Sequence, residues 1–481
     1  MSYDPEGIYF LAKTPAELHK VAGVITADSG SVISHVQLLA SNHGLPNIFI
    51  SKALSEELEE LKGEEVMIMA LPNGEASIKL FADATKKELK AYRAYHKIKD
   101  KQKVTIKTPS GLKKYNYPLP LEKLRLSHSG EVAGGKACGL GELAAAFPSS
   151  VPRGFVLPFG VYNDHILKEP AIKALIDKAF KDPDIKDDLE KRKAALKEVR
   201  EAIQNVTLSD FIKNWIKDAM GTSMFTDPKS GKLKGVFIRS DTNAEDLPGF
   251  VGAGLNQTVA NVTTIDEVFE AIKTVWASPF KEKAISWRKD LIENPWEVYP
   301  SVIVQLGINS DKAGVMIVGS TDKKDDYLDS ILIAANEGVG ISVVSGKYNP
   351  EEVMYSRDNG TITRLRRAYA PKKLILKAKG GVGEIPSSSL TQIVTDAEVA
   401  TLAAMGNQIQ EILENKKGNI MKWDIEWGYY KGKPIMFQVR PFIGNKIAKN
   451  LAALEDLQTQ GEIKEIFYNM NSTIVIIEGD K

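Results

Sequence analysis

Residues 421–442 read MKWDIEWGYYKGKPIMFQVRPF. Asp424 and Glu426 stand two apart, as do Gln438 and Arg440, so the strand period of two gives these pairs one face. Ile425, Trp427, Phe437 and Val439 take the other face. Lys431-Gly432 marks the turn. A hairpin brings its arms about 5 Å apart, so a single face gathers two carboxylates, an amide and a guanidinium. Mg²⁺ in nucleotide sites typically takes one or two carboxylates and leaves its other positions to water and phosphate. Arg440 supplies a fork for a phosphate oxygen. A ladder of salt bridges on a solvated hairpin has the same spacing.

Three further segments bear groups suited to phosphate. GVFIRSDTNAEDLPGFVGAGLNQTV, from Gly235, runs as a strand into Arg239, then a polar turn, then Gly249, Gly252 and Gly254, whose flexible backbone can bring N–H groups close to phosphates. Neither GxGxxG nor GxxxxGKS occurs here, so no Rossmann or Walker loop is indicated. In GEVAGGKACGLGELA, from Gly130, Lys136 follows two glycines at a predicted helix start. It can reach a triphosphate as a point charge, or be the surface lysine of an initiating turn. Ser34-His35-Val36-Gln37 fits a capping box, with Gly44 at the far C′ position. That places His35 in a first turn, where free N–H groups favour an anion and disfavour imidazolium. The ring is suited to carrying a phosphoryl group, although an ordinary polar first-turn residue has the same signature. His43 fits a plain role near the helix end.

The 481 residues suggest about three compact units. With 43% hydrophobic and 26% charged residues, the composition is globular. Lys+Arg 63 against Asp+Glu 62 excludes a single-sign field of the nucleic-acid-binding kind, so any anion site is local. The lone Cys138 excludes an intramolecular disulfide and a multi-thiolate zinc site, and it fits a reducing compartment. No leader-like start and no run near 18 apolar residues is present, so cytoplasmic residence without membrane attachment is expected. Composition shifts divide the chain into a small sheet-based unit (1–85), a basic linker (86–117), a large α/β body (118–445) and a C-terminal segment (446–481). That segment contains a last strand in IFYNMNSTIVIIEGDK.

Together these segments resemble the phosphohistidine dikinase family of pyruvate phosphate dikinase, phosphoenolpyruvate synthase and the glucan water dikinases. GGKACGLGEL, GVFIRSDTNAEDLPGFVGAGLNQTVANV, AIKTVWASPFKEKAISWRKD, NEGVGISVVSGKYNPEEV and WDIEWGYYKGKPIMFQVRP are similar to five ordered blocks of its nucleotide domain. SVISHVQLLASNHGLPNI is similar to its phosphohistidine segment. The resemblance implies an α/β ATP-grasp domain preceded by a small swivelling β/β/α phosphohistidine domain. It implies ATP and Mg²⁺ as cofactors and His35 as phosphoryl carrier. Lys136, Arg239 and Arg440 would be phosphate clamps, and Asp424, Glu426 and Gln438 the magnesium and phosphate shell. Gly252 and Gly254 fall in the glycine loop, and an adenine hinge is implied near Gln305–Gly307.

Ser31 and Ile33 replace the Gly and Thr of the pyruvate-linked carrier segment, and VISHV with the carrier-first order looks like the glucan water dikinases. The implied reaction is conversion of ATP to AMP with phosphoryl transfer to an acceptor, possibly a glucan, and to water. The alternatives are a phosphoenolpyruvate synthase-like or small-molecule phosphotransferase, or a non-catalytic ATP-binding module of the same fold. A homodimer is compatible with any of these. Nucleic acid is not expected, because only Tyr92 and Tyr95 accompany the basic stretch.

Overall fold

The computed structural model describes residues 4, 6–12, 18, 20–27, 40, 44–50, 58–70, 76–99, 103–186, 188–245, 255–319, 330–388, 392–417 and 422–442. Its first strands are short: β1 (Ile8–Leu11), β2 (Gly23–Thr26) and β3 (Asn47–Phe49) pair in parallel, and β4 (Val66–Ala70) and β5 (Ala76–Leu80) form an antiparallel hairpin. Ile25, Ile48, Ile50 and Ile68 are buried together between them. His35, His43 and most of the expected carrier helix lie outside the described residues. Helical Ala40 belongs to them, and the Leu45 N–H donates to its carbonyl at 2.9 Å. Gly44 between them has φ 64°, the left-handed stop expected of it.

Helix α1 (Lys86–Lys99) opens the basic stretch with a capping box: the Thr85 N–H donates to Glu88 at 2.6 Å, and the Glu88 N–H donates to the Thr85 hydroxyl at 3.3 Å. The rest of the stretch is not a free solvated linker. Val104 bridges Ile292, and Ile106 exchanges both backbone hydrogen bonds with the Asn294 amide at 2.8 and 2.9 Å. Burial of Ile106 fixes this attachment.

Two antiparallel sheets make up the body. The first has the order β6 (Leu119–Pro120), β7 (Gly154–Leu157), β10 (Pro300–Leu306), β8 (Val236–Thr242), β9 (Thr258–Val262). The second runs β14 (Ile362–Arg366), β13 (Glu351–Ser356), β12 (Ser330–Glu337), β11 (Lys312–Val318), β17 (Trp423–Tyr430), β18 (Lys433–Pro441). A separate hairpin, β15 (Lys372–Leu376) and β16 (Val382–Pro386), lies between β14 and β17 in sequence. Helices α3 (Pro170–Lys181), α4 (Leu189–Gln204), α5 (Asp210–Gly221) and α6 (Ile265–Ala277) cover one face of the first sheet. Pro279 ends α6 as its ring requires, and α7 (Glu282–Leu291) restarts beyond it. The second sheet packs on α2 (Gly135–Ala146) and α8 (Asp396–Lys417). Val302 and Val304 of β10 enter the first core and Ile303 the second, which accounts for its unbroken apolar sequence.

The β17–β18 hairpin turns at Lys431 (φ 51°) and Gly432 (φ 71°), the two left-handed residues of a type I′ turn. One face assignment is corrected. A register shift beside Glu426 and Trp427 places Met436 opposite Trp427, so Met436 fills the core with Ile425 and Val439 and Phe437 does not. Finally, Leu18, Val21, Val24, Ala40 and Leu45 of the first unit share an apolar cluster with Ala244, Leu255, Trp287 and Val298 of the body. The Trp287 indole N–H donates to the Leu18 carbonyl at 3.3 Å.

Candidate nucleotide site

The two sheets meet at Arg239. This residue sits on β8, opposite Ile303 of β10, and its guanidinium reaches across to the hairpin of the other sheet. One terminal nitrogen donates to Gln305 Oε1 at 3.1 Å and to the Phe437 carbonyl at 2.6 Å. The other donates to Gln438 Oε1 at 2.8 Å and to Glu426 Oε2 at 3.2 Å. Three of the residues expected in the site, Gln305, Glu426 and Gln438, therefore converge on the guanidinium of a fourth, Arg239. The planar fork of arginine makes this possible where a lysine point charge could not.

Two register positions along the hairpin, on the same face, the arrangement is different. Asp424 and Arg440 face each other and pair at 2.6 Å (Nη2) and 2.8 Å (Nε), and both are nearly inaccessible, at 2% and 4%. The solvated-ladder reading is thereby corrected, since Gln438 is also buried at 2%. Arg440 is committed to a buried carboxylate rather than free to meet phosphate. Asp424 Oδ1 is buried without a partner, an oxygen suited to a small hard cation. Together with Glu426 and the Gln438 amide oxygen, it makes a donor set that fits Mg²⁺ with water and phosphate completing the shell. Among the described residues, no group of three or more His, Cys, Asp and Glu side chains could hold a metal ion alone.

Lys136 lies in the first turn of α2. Its ammonium pairs with Glu245 at 2.5 Å and donates to the Ser240 carbonyl at 3.2 Å, one residue beyond Arg239. Sequence reasoning missed the residue that fastens this turn. Asp241 accepts from the Gly134 N–H at 2.7 Å, the Lys136 N–H at 3.1 Å and the Ser301 hydroxyl at 2.7 Å, and so caps α2 from another strand. Complete burial, and then the neighbouring Glu245, pushes Asp241 up to about 7 against these donors. The signal was available: Asp241 is two residues past Arg239 on a strand, the same spacing used for the hairpin. Between the α2 start, Thr242, Glu245 and the Trp423–Pro441 end of the hairpin lies a cavity of about 150 Å³.

Gln305 is buried, with its amide donating to the Pro152 carbonyl at 3.3 Å and its oxygen taken by Arg239. At the expected hinge, the N–H groups of Leu306 and Gly307 donate to the carbonyls of Arg153 (2.9 Å) and Gly235 (2.7 Å). Gly249, Gly252 and Gly254 lie outside the described residues, between Glu245 and Leu255. Cys138 is buried in the α2 core, where desolvation pushes its thiol well up, as suits packing rather than reactivity.

Residues 130–460 match the family described as pyruvate phosphate dikinase, AMP/ATP-binding domain. The chain belongs to this family. The resemblance read from five sequence blocks is borne out at that level. A protein named "Probable phosphoenolpyruvate synthase" from Archaeoglobus fulgidus is 30% identical over 355 residues, covering 72% of this chain and 44% of the relative. Another of that name from Methanothermobacter thermautotrophicus is 30% identical over 315 residues, covering 64% and 44%. The phosphoenolpyruvate synthase of Deinococcus radiodurans is 29% identical over 317 residues, covering 64% and 39%. The chain thus spans less than half the length of these curated relatives. They bear the name of the alternative reading and give the glucan acceptor no support. Among the described residues, no helix is long and apolar enough to cross a membrane.

Proposed function

We propose that this chain performs the ATP-using half of a phosphohistidine dikinase. The carried phosphoryl group would pass to a small carboxylate acceptor of the pyruvate class. The observation that carries the reading is the meeting of Arg239, Gln305, Glu426 and Gln438 between two sheets in a chain of the AMP/ATP-binding family. The names of the relatives support the acceptor class. The α/β body would be the ATP-grasp domain, and residues 1–85 the swivelling unit. Residues bordering the His35 segment (Ala40, Leu45) and the glycine-rich segment (Ala244, Leu255) share one apolar cluster, which supports a pose with the carrier unit seated beside the nucleotide.

In this reading, a ring nitrogen of His35 attacks the β-phosphorus of ATP. The bond from that phosphorus to the α-bridging oxygen breaks, and AMP leaves with the electron pair. The γ-phosphoryl is then released to water as phosphate, and the β-phosphoryl stays on the ring until the acceptor takes it. Arg239 exchanges its carboxylate partner for phosphate oxygens and stabilises charge that develops on them, while Lys136 approaches from the α2 turn. Arg440 acts one position removed, by holding Asp424. Magnesium, when held by Asp424, Glu426 and Gln438, supplies neutralisation of the triphosphate charge.

Separating the nucleotide products tests the reading. AMP and phosphate are expected, with the second phosphoryl group left on the protein; ADP as the sole product would contradict it.

A further inference from the structure

A cleft of about 700 Å³ opens on the helical side of the first sheet, and none of the nucleotide-site residues lines it. Its walls come from Asn116 and Tyr117 ahead of β6, from the stretch around Asp164 to Ile172, and from the α4–α5 connection with the start of α5. That volume suits a small organic molecule. The chain enters the cleft through a π turn, Asn163–Leu167, closed by the Lys168 N–H donating to the Asn163 carbonyl at 3.0 Å. Such turns are rare and recur at functional sites.

The charge of the wall has one sign. Among the described residues that line it are two carboxylates, Asp164 and Glu169, and neither lysine nor arginine. Asp164 is already compensated: Lys168 pairs with it at 2.7 Å, and the Asn116 amide donates to it at 3.1 Å. Glu169 is not. It stands at the N-cap of α3, yet its side chain makes no cap bond, and among the described residues no cation pairs with it. His165 adds no positive charge either. The Ser209 N–H donates to its Nε2 at 3.1 Å, so the ring proton sits on Nδ1, where the Val161 carbonyl accepts it at 2.9 Å. Two rings complete the wall, Phe211 at 62% exposure and Tyr117 at 41%. Ile212 carries the apolar face of α5 into the core beside Phe211, so packing of the fold does not account for that exposed ring. Aromatic faces and an uncompensated carboxylate both attract a cation, and the rings also cover an apolar body attached to it.

We infer that this cleft is a second ligand site, separate from the nucleotide site, that takes a small organic ammonium, with Glu169 as its countercharge and Tyr117 and Phe211 as its ring surface. Calorimetric titration of the full chain at low ionic strength tests it with three probes of similar shape: phenethylammonium, 2-phenylethanol and 3-phenylpropanoate. The ammonium should bind about tenfold more tightly than the alcohol, and the carboxylate most weakly. Glu169→Gln, a change at an exposed position, should weaken the ammonium about fivefold and leave the alcohol within about twofold; Glu169→Lys should reverse the order of the two ions. Phe211→Ala should weaken the ammonium and the alcohol together, whereas Glu426→Gln, in the nucleotide site, should leave ammonium binding unchanged. Equal binding of the three probes, binding of none, or an ammonium affinity that Glu169→Gln does not alter would overturn the inference. So would loss of ammonium binding in Glu426→Gln, which would put the probe in the nucleotide site instead.

Discussion

Arg440 and Glu426 stand two register positions apart on one hairpin, yet their substitution should have different consequences. Replacing Arg440 with alanine strands a buried Asp424 carboxylate, a loss of roughly 3–5 kcal/mol by analogy with other buried pairs. Urea denaturation should therefore show Arg440→Ala strongly destabilised. Glu426→Gln keeps the shape of a half-buried side chain and should stay within about 1 kcal/mol of wild type while losing phosphoryl transfer. Equal stability of the two variants would show that the Asp424–Arg440 pair does not hold the hairpin. Asp241 gives a pH signature of known sign. Its carboxyl is raised from the ordinary value to about 7, so the folded chain binds the proton more tightly than the unfolded chain. Its contribution to stability is complete below about pH 4 and is lost as pH rises through about 7. Asp241→Asn should flatten the fall in urea midpoint between about pH 4 and 7, and parallel curves for the two proteins would refute the assignment.

The elements that hold these residues follow from short-range rules, and much of them was legible in the sequence. Alternation fixed β17 and β18, Lys431-Gly432 their turn, and Pro279 the break after α6. The extra residue at Phe437 was not legible, because a bulge is set by how the hairpin meets its neighbours and leaves no mark in the local pattern. For the cap on α2 the strand period marked Asp241 as sharing a face with Arg239 but could not name its partner, since Asp241 is 107 residues from the N–H of Gly134 that it binds. α2 also approaches β18 closely, since a Cβ on Gly139 would lie 2.7 Å from the Val439 carbonyl. Gly139→Ala should therefore push the helix off the hairpin and cost about 1–3 kcal/mol, measured by urea denaturation. An unchanged midpoint would mean that the contact has slack.

At the scale of the whole molecule, two sheets bring together side chains nearly 200 residues apart, Arg239 with Gln438, and an apolar seam joins the first unit to the body. Five motif blocks anticipated the nucleotide domain, but the partners that each charged group takes inside it were not legible. Arg440 turned inward to Asp424, and Gln305 to Arg239, because desolvated charges and amides bind whichever complement folding brings nearest. The central claim is that the body phosphorylates an imidazole in the first unit. ATP labelled at the β-phosphorus should leave stoichiometric, acid-labile label on the wild-type chain and none on His35→Ala. Label on His35→Ala equal to wild type, or no label on either protein while ATP is consumed, would contradict the account.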